Sequence, residues 1–216
     1  IRLWDVKNHV EISTIQVSGP VRGIAFAPDG KSFSYSDGIS IKTCNSHSGA
    51  HERDIPTTNP AWRLAYSADG KRIVSWRLQG ENVTILDAVT GNEIFTFTCD
   101  HRRGLISAAF NPEGTRVVTS GWRDPAIKVW DIANGSELMI LRGHKRSPYG
   151  AMYHSDGQRI LSCDVDGAVK IWSTVAKPGN MELSGHQDAV TSVAFSPDGT
   201  CLATGGMMTL KLWEVK

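Results

Sequence analysis

Five times along the chain an apolar run, a turn of the Asp-Gly type and a second apolar run follow one another, and the strand-like run that comes next often ends in Trp. The turns are Asp29-Gly30, Asp69-Gly70, Glu113-Gly114, Asp156-Gly157 and Asp198-Gly199, so successive copies lie 40, 44, 43 and 42 residues apart. A fixed period of this length marks a solenoid, a propeller or an array, because each repeat is one supersecondary unit that buries its apolar faces only against neighbours. A second marker runs in phase with the first. Trp4, Trp130, Trp172 and Trp213 close the runs IRLW, IKVW, VKIW and LKLW, with Cys44 and Leu86 in the same place in two degenerate copies.

Each copy parses into four short strands. In the stretch 143–179 these are a strand near Tyr149 to Tyr153, a turn at 154–157, a strand Arg159 to Cys163, a turn at 164–167, a strand Ala168 to Trp172, and a loop with Pro178-Gly179 before Met181 to Leu183. Turn residues bound every run, and Gly supplies the positive φ of tight hairpins. The segments APDG (27–30), SADG (67–70), NPEG (111–114) and SPDG (196–199) repeat the same turn. Serial hairpins make four-stranded antiparallel sheets, and helix signals are absent. A single sheet with two apolar faces buries neither, whereas radial stacking buries both, which is the propeller solution.

Composition narrows the partners. With 40% hydrophobic and 21% charged residues and a net charge of +1, the chain has the balance of a globular protein, and neither a membrane nor a nucleic-acid partner is expected. No apolar run approaches the roughly 20 residues of a spanning helix, and the opening IRLWDVKN lacks the regions of a signal peptide. The sequence starts inside a repeat and without Met, which suggests a piece of a longer protein. Cys44, Cys99, Cys163 and Cys201 fall in apolar strand-like runs without CxxC or His/Cys clustering, so they read as small buried hydrophobes in a reducing compartment, and a cytoplasmic location is expected.

The chain resembles the WD-repeat β-propeller family through GH at 143–144 and 185–186, SPDG at 196–199, and IRLWD (1–5) and IKVWD (127–131). The resemblance covers essentially the whole sequence. It implies an all-β propeller of four-stranded antiparallel blades with about five repeats present: a partial one at 1–18, then 19–58, 59–100, 101–142, 143–184 and 185–216. In this family a blade is stapled by His, Ser or Thr, Asp and Trp. Carried over, these are His144, Ser162, Asp166 and Trp172 in one blade, and His101, Thr119, Asp124 and Trp130 in another. The last copy offers His186, Thr204 and Trp213, with Met207 or Met208 where the Asp should stand. The copies starting near Gly19 and Asn59 lack both His and Trp, and are expected to be more loosely fastened. Family members commonly have seven blades, so a fragment of a larger propeller is expected. If Glu11 to Val17 paired with Thr209 to Trp213, a five-bladed ring would close instead.

His, Ser and Asp are also the residues of a hydrolase triad. Here they recur with the fold's own period, as a structural staple does and a unique active site does not. GxSxG, HExxH, P-loop and zinc-type spacings are absent. No catalytic residue, cofactor or metal is expected.

Function then falls to surface loops. The position four before the aromatic of each first strand reads Arg22, Trp62, Ile106, Tyr149 and Thr191, and in WD-repeat proteins residues near this place tend to face the top surface and engage partners. Trp, Tyr and Arg are enriched in binding hot spots. The candidates are Arg22, Trp62 and Tyr149, joined by Arg102, Arg103, Arg146 and Asp188 in loops before first strands and by Trp122 and Arg123 in a turn. Trp62 and Tyr149 have an alternative role packing between blades, whereas Trp122 lies outside the apolar pattern and is expected to be exposed. The resemblance implies a scaffold that binds other proteins or peptides without chemistry of its own. A recruitment module of a larger protein, with a covalently linked upstream domain such as a kinase, is the alternative, and a propeller enzyme with a channel site is a weaker one.

Overall fold

The computed structural model describes residues 1–59, 61–175, 180–196 and 198–215, and among them every helix or strand is a β-strand. The expected turn at Pro178-Gly179, and Pro197 of the last SPDG, lie outside the described residues. The chain divides into two compact units, Ile1–Arg77 with Asn82–Thr96, and Leu78–Glu81 with Phe97–Lys216.

In the first unit β1 (Arg2–Asp5) pairs with β2 (Val10–Thr14) as a two-stranded sheet. Two four-stranded meanders follow: β3 (Gly23–Phe26), β4 (Ser32–Ser36), β5 (Ser40–Asn45) and β6 (His51–Pro56), then β7 (Arg63–Tyr66), β8 (Arg72–Trp76), β9 (Asn82–Asp87) and β10 (Glu93–Thr98), the last reaching beyond this unit's final residue. Ile41, Ile55, Leu64, Ile73 and Leu86 fill the space between the meanders, and Leu3, Phe33, Tyr35 and Cys44 form a second cluster against β1.

The second unit holds β11 (Leu105–Phe110), β12 (Arg116–Gly121), β13 (Asp124–Asp131) and β14 (Glu137–Leu141), then β15 (Pro148–Tyr153), β16 (Arg159–Asp164), β17 (Val169–Ser173) and β18 (Asn180–Leu183). A three-stranded sheet of β19 (Val190–Phe195), β20 (Cys201–Gly206) and β21 (Leu210–Glu214) ends it. Val118, Ile127, Val129, Tyr153, Ile160 and Trp172 pack between the first two sheets, and Leu161, Cys163, Val169, Val190 and Leu202 between the second and third. The second strands β4, β8, β12 and β16 are buried over nearly their whole length, whereas β2 and β6 are mostly exposed. Burial on both faces is what sheet-on-sheet stacking requires, and apart from the Arg that opens β8, β12 and β16 and the Asp that ends β16, these strands are apolar, aromatic or small.

The five turns that set the period are one structure. Gly30, Gly70, Gly114, Gly157 and Gly199 all adopt φ between 66° and 73°, and each donates its N–H to the carbonyl three residues earlier at 2.9–3.0 Å. The carboxylates of Asp29, Asp69, Asp156 and Asp198 each accept the N–H two residues on. Glu113 has one methylene too many for that short ring, and Asn111 replaces it by accepting from Thr115 and Arg116.

The strand expected at Glu11 to Val17 is β2, Val10–Thr14, and it pairs with β1 within the first unit. One expectation is corrected. Cys44, Cys99 and Cys163 are buried, but Cys201 is exposed, because it opens β20 on the solvent side.

Candidate functional site

The staples are continuous polar relays. Trp172 Nε1 donates to Ser162 Oγ at 2.8 Å, Ser162 bonds His144 Nε2 at 2.6 Å, and His144 Nδ1 lies 2.7 Å from Asp164 Oδ2. With the ring hydrogen on Nδ1 and Nε2 accepting from the Ser162 hydroxyl, every atom of the relay has a partner. Asp164, not Asp166, is therefore the carboxylate of this relay. The reason is local: Asp164 ends β16 beside His144 and caps the next turn through Oδ1, accepting from Asp166 N at 3.0 Å and Ala168 N at 2.9 Å. Asp166 is left on the surface, 3.3 Å from Arg146. Burial acts to raise the Asp164 carboxyl, but the His144 and backbone hydrogen bonds outweigh it and hold it below the usual carboxylate range.

The neighbouring sheet repeats the relay. Trp130 Nε1 donates to Thr119 Oγ1, which meets His101 Nε2, and His101 Nδ1 meets Asp124, each step at 2.8 Å. Burial lowers the His101 pKa against the opposing pull of Asp124. In the last sheet Trp213 and His186 converge on Thr204 at 2.8 and 2.7 Å, but His186 Nδ1 faces Thr209 Oγ1 at 2.9 Å. The acceptor expected near Met207 or Met208 is thus a hydroxyl on the approach to β21, and both Met side chains are exposed, at 77% and 90%. In the copies without His and Trp, hydroxyl pairs stand inside the sheet: Ser34 Oγ with Thr43 Oγ1 and Tyr66 Oη at 2.8 and 2.6 Å, and Thr84 with Thr96 at 2.8 Å.

The first two of these relays are closed to solvent. The side chains of His101 and His144 have no exposed surface, and both ring nitrogens of each are already bonded. Among the described residues no cluster of His, Cys, Asp and Glu has metal-binding geometry, and no helix is long and apolar enough to cross a membrane.

An open groove lies at the loop ends of the sheets. In the second unit the loop before β11, the β12–β13 turn and the loop before β15 enclose an open groove of about 600 Å³ whose lining includes Arg102, Trp122, Arg123, Lys145 and Arg146. Trp122 is half-buried, not exposed as expected, because its ring meets Tyr149 edge-on at 6.5 Å and its backbone N–H donates to Gly104 O at 2.8 Å, holding the turn down. Arg123 adopts φ +55°, a left-handed backbone that a side-chain-bearing residue seldom takes, and its N–H is held by Ser147 Oγ at 2.6 Å. Arg103 is exposed beside Arg102 but outside the groove lining.

The first unit has its own aromatic and cationic cluster. Trp62 is half-buried between two guanidinium groups, Arg22 at 4.5 Å and Arg77 at 4.9 Å from its ring. Sequence reasoning marked Arg22 and Trp62 but not Arg77, which directly follows β8. A cation repeated on the strand adjoining an expected surface aromatic was the available signal. Asp188 faces inward instead of toward a partner: Oδ2 accepts the Met208 N–H at 3.0 Å, and Oδ1 is buried.

The family model described as WD domain, G-beta repeat matches residues 91–131, 135–173 and 180–214. The chain is similar to Periodic tryptophan protein 2 of Arabidopsis thaliana, 32% identical over 68% of this chain and 16% of that protein. It is also similar to Apoptotic protease-activating factor 1 of Rattus norvegicus, 28% identical over 96% of this chain and 17% of that protein. The chain thus spans about a sixth of the length of these curated relatives. Among solved structures, the one titled "Structure of U3-55K" matches with a TM-score of 0.78 at 20% identity, covering 93% of this chain and 62% of that chain, a likeness of fold.

Proposed function

Because the chain belongs to the WD domain, G-beta repeat family, we propose that it is a non-catalytic protein-interaction module that engages partners through the loop ends of its sheets. One observation carries the reading: the His101 and His144 rings are sealed inside the sheets with both nitrogens bonded, whereas cations and half-buried aromatics gather at the loops. Aromatic and Arg side chains set in a partly desolvated surface are the usual anchors of protein interfaces.

A second reading, a recruitment module within a longer polypeptide, is supported by the small share of its relatives that the chain covers. It is compatible with the first, since the same loops would do the recruiting.

The test is affinity capture from lysate with the wild-type chain and a Trp122→Ala/Tyr149→Ala variant of matched melting temperature. A protein retained by the wild type and lost by the variant supports the reading. Retention of nothing specific, or turnover of a substrate by the isolated chain, counts against it.

A further inference from the structure

Resting on that interaction reading, we propose that the groove beside Trp122 binds an acidic segment of a partner protein, with an apolar side chain seated on Trp122 and carboxylates on Arg102, Arg123 and Lys145. The first support is charge. The whole chain carries a net charge of only +1, yet among the described residues four cations line this groove and no acidic residue does. Of the four, Arg146 has Asp166 at 3.3 Å, while among the described residues the other three have no carboxylate within 4 Å. Lys145 still feels Glu182 from beyond that distance, but Arg102 and Arg123 are crowded beside it with no carboxylate in reach, and an incoming anion relieves their mutual repulsion.

The second support is backbone geometry. A left-handed conformation at a residue other than Gly costs on the order of 1–3 kcal/mol, and such residues gather where the fold aims a side chain. At Arg123 the turn is fixed from outside its own sheet by the Ser147 hydroxyl, so the backbone from which the side chain leaves toward the groove is set before any ligand arrives. A planar guanidinium so placed takes a carboxylate by two parallel hydrogen bonds.

The third support is the floor. Trp122, Pro125 and Val165 give the groove an apolar base beneath the cations, each of them half-buried. At about 600 Å³ the groove has room for a few side chains. An occupant that is acidic throughout would leave that base wet, whereas a peptide alternating acidic and apolar residues covers both features. A nucleic-acid strand fits less well: it would need a longer basic track and free aromatic faces for successive bases, and among the described residues Trp122 is the single aromatic of the groove's lining.

The test is fluorescence anisotropy of a labelled peptide alternating Glu and Leu, titrated with the full chain at about 50 mM and about 300 mM salt. The wild type should bind, more weakly at high salt, and Arg102→Ala/Arg123→Ala should weaken binding at least about tenfold with an unchanged melting temperature, since both side chains are exposed. Arg102→Glu/Arg123→Glu should transfer the preference to the matching Lys/Leu peptide. Equal binding by wild type and variant, no binding of the acidic peptide, or tighter binding of a single-stranded RNA of equal charge would overturn the proposal. If the peptide fails while a captured protein still depends on Trp122, the acidic specificity falls and the interaction reading stands.

Discussion

Asp164 Oδ2 lies 2.7 Å from His144 Nδ1 with both side chains sealed from water, whereas Asp166, two residues on, sits at the surface against Arg146. The two carboxylates therefore differ in what their loss leaves behind. Asp164→Ala strands the His144 N–H and two backbone N–H groups, those of Asp166 and Ala168, and should lower stability by about 3 kcal/mol. Asp166→Ala removes an exposed ion pair and should change it by less than about 0.5 kcal/mol. Urea unfolding of both variants decides the matter, and equal effects would refute the assignment of the relay.

The same relays predict how acid acts on the fold. Burial holds the folded His101 below the ordinary imidazole value of about 6.5, so between its folded pKa and that value only the unfolded chain takes the proton. The stability this group contributes is then present above about pH 6.5 and lost as pH falls below it. Asp164 is likewise depressed, so its contribution is present above about pH 4 and lost as pH falls through its folded pKa. The urea midpoint should drop from pH 7 to pH 5, and more steeply below about pH 4. In His101→Gln the first decline should be shallower. A midpoint constant from pH 7 to pH 5 would contradict the buried neutral imidazole.

Two turn glycines of the same conformation should respond unequally to Ala. A Cβ on Gly30 meets nothing within 4 Å, so Gly30→Ala costs only the left-handed backbone, about 1 kcal/mol. A Cβ on Gly199 would lie 2.6 Å from His154 Nε2, the atom that bonds the Gly199 carbonyl at 3.0 Å. Gly199→Ala must therefore displace the His154 ring as well, and should cost about 2–3 kcal/mol. Equal shifts in thermal midpoint would mean that this tie between β15–β16 and the next turn carries no energy.

How far the sequence reaches is clearest at the places where it divides. The period, the turn glycines and the strands from Tyr149 to Trp172 are local properties, written as alternation and φ requirements within about twenty residues, and the observed strands fall within a residue of the expected ends. The choice between Asp164 and Asp166 is not local: both are acidic, both adjoin the turn, and only the approach of His144 twenty residues earlier separates them. Thr209 substitutes for a missing carboxylate in the same way, by proximity to His186. The Trp122 groove joins loops from two consecutive repeats, so Lys145, which no motif marks, becomes part of it only when the sheets stack.

The cysteines provide a last prediction, free of any assumption about partners. Burial pushes the thiols of Cys99 and Cys163 up to about 12, and burial also raises that of Cys44. The thiolate is the reactive species, so these three are protected twice over, by access and by ionisation. Cys201 is exposed at the start of β20. In a chromogenic thiol assay at pH 8 the native protein should release about one equivalent quickly, with three more only in denaturant. Substituting Cys201→Ser should abolish the fast equivalent and leave the urea midpoint within about 0.5 kcal/mol of wild type. A fast phase surviving that substitution would mean that one of the sheets opens on the timescale of the assay, and the slow equivalents would then measure its local unfolding.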